Sequence, residues 1–210
     1  MQSPWLEIPL EDYERHMSLP SVDQARLLAN EFGRVLWARK PKSAAIIGCA
    51  GGNGLEQVDT QVTERVVVVD INRDYVAAVR RRFGKSLSSL ETHVADVQDA
   101  GLSFRPVDLV YAALLLEYVD IPRALQQMKA ICTWGGVLVT VTQLPSSTHV
   151  EVTPSPIASV QSLAGVFKLV APENLRCTAA RMGWNPILEE EVVSSAGKRF
   201  AVHTFRPDRR

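Results

Sequence analysis

Gly48, Gly51, Gly52 and Gly54 fall in one short stretch directly after the apolar run 44–47, and a second apolar run, the four valines at 66–69, closes on Asp70. Glycine is wanted where a chain turns sharply off a strand end and a ligand must lie against main-chain N–H groups, because a Cβ would block the approach. A carboxylate at the tip of the next strand can then accept both hydroxyls of a ribose. Strand, turn, helix, strand, acid argues for a nucleoside-containing cofactor. A glycine-rich turn alone would fit a purely steric bend equally well; the valine strand ending in Asp70, 22 residues beyond Gly48, is what favours a ligand.

Those residues need a frame, and the hydrophobic periodicity supplies one. The spacing predicts strands over 43–47, 65–69, 91–95, 107–112 and 137–142, with a helix after the glycine turn to about 59, a second over 72–83 and a third from 120 that Gly135 and Gly136 stop. Strands alternating with helices are the signature of a parallel sheet covered on both faces, an α/β doubly wound architecture. Before it, Ser21 and Gln24 read as a capping box opening an amphipathic helix that ends before Pro41. After it, residues 144–171 are rich in Pro, Ser and Thr and lie at the carboxyl edge of the sheet, which reads as a lid or substrate loop. A helix over 172–183 and two neighbouring strands at 187–193 and 199–205 complete the chain. The parse is one domain over 1–210: a helical cap (1–40), a cofactor-binding core (43–143), the insertion (144–171) and a C-terminal helix and hairpin (172–210).

Twenty-three basic residues balance 23 acidic ones, so no global field draws in nucleic acid or an anionic membrane. No apolar stretch approaches the ~18 residues that span a bilayer. The first dozen residues lack a basic region and an apolar core, so no secretory signal is expected. Cys49, Cys132 and Cys177 are odd in number and scattered, which fits reduced thiols and a cytoplasmic location, and no metal site is expected. Cys49, inside the glycine turn, reads as a small buried residue rather than a nucleophile. The run Arg80, Arg81 and Arg82 reads as a solvated helix face.

Five features in order, Ile-Ile-Gly48-Cys-Ala-Gly-Gly-Asn-Gly, the valines with Asp70, Ala-Asp96-Val97, Val-Asp108-Leu-Val-Tyr-Ala, and a helix then Gly-Gly before strand five, resemble the class I S-adenosylmethionine-dependent methyltransferases across about residues 43–205. The resemblance implies a Rossmann-like sheet of about seven strands, mostly parallel, with an antiparallel C-terminal hairpin strand and an N-terminal helical cap. It implies S-adenosyl-L-methionine as cofactor, bound by Gly48, Cys49, Ala50, Gly51 and Gly52 in the turn, Asp70 and Ile71 at the ribose, Asp96 and Val97 at the adenine, and Ala112 after strand four. Two departures stand out: the acid usually found two residues before the first glycine is Ile46 here, and the second glycine is Ala50. The Asn/Asp-Pro-Pro-Tyr motif of amino-methylating enzymes is absent.

Displacement of a methyl group from a sulfonium asks mainly for proximity and alignment, with a base only where the acceptor must lose a proton. Tyr13 and His16, three apart on the cap, are the candidate pair for that step, with Glu117, Tyr118 and His149 as further site-facing residues. The partner implied is a small, mostly uncharged acceptor, taken up by a monomer or homodimer. Two rivals remain. Asp70 and the glycines could serve an NAD-dependent oxidoreductase, although they do not fall as Gly-x-Gly-x-x-Gly and no Tyr-x-x-x-Lys pair is present. A cofactor-binding relative without turnover is the other.

Overall fold

Val66 to Val69 are almost fully buried, as a strand covered by helices on both faces must be, and the same holds for Ala44 to Ile47. In the computed structural model, which describes residues 3–146 and 153–208, these runs are β2 (Arg65–Asp70) and β1 (Ser43–Ile47). Around them stand β3 (Leu90–Val94), β4 (Val107–Ala113) and β5 (Cys132–Gln143). A C-terminal pair, β6 (Trp184–Val193) and β7 (Arg199–Pro207), completes one seven-stranded sheet in the order β3-β2-β1-β4-β5-β7-β6. The first five strands pair in parallel, and β7 enters antiparallel between β5 and β6. Because β1 has β2 on one side and β4 on the other, the chain reverses direction of travel there. A crevice opens at the carboxyl ends of these strands.

Successive strand residues face opposite ways. Ala44, Ile46, Val66 and Val68 pack with Leu28, Phe32 and Val35 of α2 (Gln24–Arg39), whereas Ala45, Ile47, Val67 and Val69 share a core with Leu125 and Met128 of α4 (Ile121–Ala130) and Leu175 and Ala179 of α6 (Pro172–Arg181). On that second face the indole of Trp184, wholly buried, donates to the Leu125 carbonyl at 3.1 Å. A third cluster joins Ile8 to Ile157, Val160 and Leu163, with Trp5, Tyr13 and Tyr118 against it. It pins the segment containing α5 (Ala158–Gln161) to the cap helix α1 (Leu10–Met17). Among the described residues no helix is long and apolar enough to cross a membrane.

Three local expectations are corrected. Ser21 does not cap α2: Asp23 occupies that place at φ 44° and makes no capping bond, its carboxylate being taken by Arg26 at 2.8 Å and by the Ser195 hydroxyl. The helix expected after the glycine turn is a single 3-10 turn, Leu55–Gln57. Gly54, at φ +91°, lies so close to α2 that a Cβ would meet Phe32 Cδ1 at 3.1 Å and Ala29 Cα at 3.3 Å, so α2 already occupies the space a helix would need. Finally, Gly135 and Gly136 belong to β5 and do not stop α4, which ends at Ala130. The β4–β5 register jumps from Val107↔Cys132 to Leu109↔Val137, so residues 133–136 bulge opposite Asp108 alone. A Cβ on Gly136 would stand 2.7 Å from the Asp108 carbonyl, hence the glycine.

Candidate active site

The turn after β1 is built by main-chain bonds that only a sharply bent chain can make. Gly48 and Cys49 N–H donate to the Val69 carbonyl at 2.9 and 3.2 Å, with Gly48 at φ +72° and Ala50, unusually for a residue with a side chain, at φ 44°. Ala50 is held there by Asp70, whose Oδ2 accepts its N–H at 2.9 Å while Oδ1 accepts from Asn72 N–H at 2.9 Å. Both carboxylate oxygens are thus engaged by backbone N–H groups, which fixes the orientation of the carboxylate. Burial pushes the Asp70 carboxyl up, and the bonds from Asn72 and Ala50 oppose that rise. Just past the end of the neighbouring strand β3, Asp96 accepts from the Gln98 backbone at 2.8 Å, and Gln98 Oε1 in turn accepts from Asp120 N–H at 2.7 Å, which ties the end of β3 to the start of α4.

A cleft of about 690 Å³ lies over these groups, with Gly48, Ala50, Asp70, Ile71, Asp96 and Val97 on its walls. Cys49, Gly51 and Gly52 face a neighbouring hollow. Burial raises the Cys49 thiol well above its ordinary range, as expected of a packed residue and not of a nucleophile. Ala112 is a correction: it is fully buried in the α4-side core, and Ala113, Leu114 and Leu115 line the cleft instead. Asp108 is also remote from the cleft in its role, its carboxylate accepting from Ser43 N–H and Oγ at 3.0 Å each and so latching β4 to β1.

The roof comes from the N-terminal segment. Asn72 both caps α3 (Arg73–Phe83), accepting from Asp74 N–H at 2.9 Å, and donates from Nδ2 to the Trp5 carbonyl at 2.8 Å. The Tyr75 hydroxyl donates to the Ile8 carbonyl at 2.9 Å. Arg82 departs from the solvated-face reading of its neighbours: it pairs with Glu14 of α1 and donates to the Gly51 carbonyl at 3.0 Å. None of these anchors carried a sequence signal except Asn72, which stands where an N-cap belongs.

Tyr13 lies where three spaces meet: the cleft, the neighbouring hollow, and a narrow inner pocket. That inner pocket holds His16 beside Trp5, Tyr118, Phe167, Gln143 and Lys198. His16 does not line the cleft itself. It is 7% exposed, its Nδ1 has no partner, and burial with the nearby Lys198 charge holds the imidazole below its usual range, hence neutral at pH 7. Burial, reinforced by the Asp70 and Glu117 carboxylates, pushes the Tyr13 phenol far up, so it stays protonated. Trp5 meets Tyr13 edge-on at 5.4 Å and Tyr118 at 5.0 Å, forming an aromatic wall. Glu117 faces none of these spaces; its Oε1 accepts from Gln143 N–H at 2.7 Å and Oε2 is buried without a partner. His149 lies outside the described residues.

The topology, with β7 inserted antiparallel beside a parallel sheet and the glycine turn and two acids at its carboxyl edge, is the fold of the class I S-adenosylmethionine-dependent methyltransferases. Residues 45–136 match the family model described as a methyltransferase domain. Among solved structures, the N-methyltransferase NodS from Bradyrhizobium japonicum WM9 in complex with S-adenosyl-L-homocysteine is similar with a TM-score of 0.66 at 18% identity, over 88% of this chain and 87% of that one. The [4+2]-cyclase SpnF gives 0.68 at 13% identity, over 88% and 81%. Geranyl diphosphate C-methyltransferase from Streptomyces coelicolor A3(2), in complex with Mg2+, geranyl diphosphate and S-adenosyl-L-homocysteine, gives 0.63 at 12% identity, over 83% and 76%. No curated protein matches the chain by sequence.

Proposed function

We propose that the chain binds S-adenosyl-L-methionine in the cleft and transfers its methyl group to a small acceptor held in the inner pocket beneath the cap. The observation that carries this reading is the placement of Asp70 and Asp96 on the walls of one cleft with the bent glycine turn. Asp70 fixes Ala50 through its N–H and turns the same carboxylate toward the cleft, where ribose hydroxyls would meet it, while at Gly48 a Cβ would stand 3.2 Å from Leu115 Cδ1, so packing inside the protein already calls for glycine there. When bound, that cofactor supplies an electrophilic methyl whose carbon–sulfur electron pair leaves on a neutral sulfur.

What remains for the protein is to hold an acceptor in line and to take its proton where there is one. Trp5, Tyr118, Phe167 and Leu114 give the inner pocket aromatic and apolar walls, with His16, Gln143 and Lys198 as its polar groups, which suits a flat acceptor that carries a polar substituent. The shared wall residues Trp5, Tyr13, Leu114 and Tyr118 connect that pocket to the cleft. His16, neutral and with an unpartnered nitrogen, is the base in this reading; Tyr13, fixed in its protonated form, packs and orients. Of the similar enzymes one is an N-methyltransferase, one a C-methyltransferase and one a cyclase, so the fold leaves the acceptor atom open and turnover is tested separately from binding.

Calorimetry with S-adenosyl-L-homocysteine tests the first half, and tight binding of NAD in its place would overturn it. For the second half, an acceptor screen that reads demethylated cofactor identifies a substrate. His16→Ala then lowers turnover by ~100-fold or more, removes the acidic limb of the pH profile and leaves cofactor affinity unchanged. A modest change in turnover with a large loss of melting temperature would make His16 a structural residue.

A further inference from the structure

Opening from the cleft is a hollow of about 1090 Å³ between the glycine turn, α1 and the C-terminal end of α3. The two spaces share Tyr13, Gly48, Ala50 and Ala113, but Asp70 and Asp96 line only the cleft, whereas Ile46, Glu14 and Arg82 line only the hollow. Arg82 grips Glu14 with both ends of its guanidinium, Nη1 donating to Oε1 and Nη2 to Oε2 at 2.9 Å, and Nη1 also donates to the Gly51 carbonyl. That leaves Arg82 with its Nε–H and one Nη2–H unspent, and leaves each Glu14 oxygen a second lone pair. On the wall of the same hollow Tyr111, 4% exposed, has a buried hydroxyl with no hydrogen-bond partner.

We infer that Glu14 and Arg82 form a charged clamp for the amino-acid end of the cofactor, Glu14 taking its ammonium and Arg82 its carboxylate. The inference rests on the cofactor reading above and extends it to residues that no sequence motif marks. An adenosyl group placed between Asp70 and Asp96 directs the remainder of the molecule away from them, and the space that adjoins past Tyr13 and Ala50 is this hollow. The amino-acid end is a zwitterion, so it needs one anion and one cation a few ångströms apart, already fixed relative to each other; a bidentate pair braced on the loop carbonyl meets that need. The acid absent at Ile46 is replaced by one on a different element, reached from the opposite side of the turn.

The pair could instead be only a latch between cap and α3, and two ligands separate these roles. 5′-Methylthioadenosine keeps the adenosine and the thioether of S-adenosyl-L-homocysteine but lacks the amino-acid end. Titrated against wild type, Glu14→Gln and Arg82→Gln, the homocysteine compound loses about tenfold or more in affinity in each variant, while methylthioadenosine holds within about twofold. Arg82→Lys recovers part of the loss, because the charge returns without the fork. Equal losses for both ligands, or none for either, would overturn the clamp. A wild-type protein that binds neither ligand removes the cofactor reading and the clamp with it; one that binds both, with variants that do not discriminate, removes the clamp alone.

Discussion

Glu117→Gln perturbs a single buried proton. The Glu117 side chain is 1% exposed, one oxygen accepts from Gln143 N–H at 2.7 Å, and the other has no partner. Burial pushes its carboxyl from the ordinary 4.5 up to about 7, against a smaller opposing effect of the backbone bonds. Between those two values the folded protein keeps a proton that the unfolded chain has released, so stability is highest below the unfolded pKa and is lost as pH rises through the folded one. At 1.36 kcal/mol per pH unit, the span from 4.5 to about 7 amounts to roughly 3 kcal/mol. Glutamine retains the acceptor for Gln143 and removes the titration. Urea unfolding of both proteins from about pH 4.5 to 8 therefore shows wild type losing roughly 3 kcal/mol relative to the variant, with the difference level above about pH 7.5. A difference that stays constant within about 0.5 kcal/mol across that range would show that the unpartnered oxygen is solvated or paired, and the reasoning fails.

Asp70→Ala removes the acceptor of two backbone N–H groups together with the carboxylate proposed to take the ribose, so calorimetry finds S-adenosyl-L-homocysteine bound roughly tenfold to a hundredfold more weakly, with a stability loss of about 1–3 kcal/mol per orphaned amide; unchanged affinity contradicts the proposed site. Gly52→Ala forces a side chain into φ +86° with its Cβ 2.8 Å from Phe83 Cε2, costing about 2–4 kcal/mol, whereas Gly165→Ala, with open space around it, leaves the melting temperature alone and serves as the control. If both variants melt with wild type, the turn is not strained as described. Leu163→Ala opens the small cluster that holds residues 153–171 to the cap, which limited proteolysis reads as faster cutting there with little change in global melting; equal cutting rates would show that the cluster does not restrain the segment.

Short-range patterns were the readable part of the chain. The apolar runs at 44–47 and 66–69 are strands of a doubly covered sheet, in which alternate residues face opposite cores and all are buried, and their brevity between turn residues is what marked them as strands. Asn72 starts α3 as its type and position demand. The readings that failed did so where a distant element changed the local outcome: α2 took the space that a helix after Gly54 would have filled, and Asp23 gave its carboxylate to Arg26 and Ser195 in place of any cap. Ala112 missed the cleft by one residue, because on a strand one step turns a side chain to the other face.

By itself, then, the order of residues determined the strand, turn, strand and acid at the carboxyl edge of the sheet, since bonds and periodicities within a few residues enforce them. Tertiary structure alone decided which side chains meet above that edge. Glu14 and Arg82 stand 68 residues apart and Asn72 lies 67 from the Trp5 carbonyl it holds, so no local spacing encodes either contact. The same holds for Tyr13, which gains its place among three adjoining spaces only because Tyr75 and Asn72 draw the N-terminal segment down over the ends of β1 and β2.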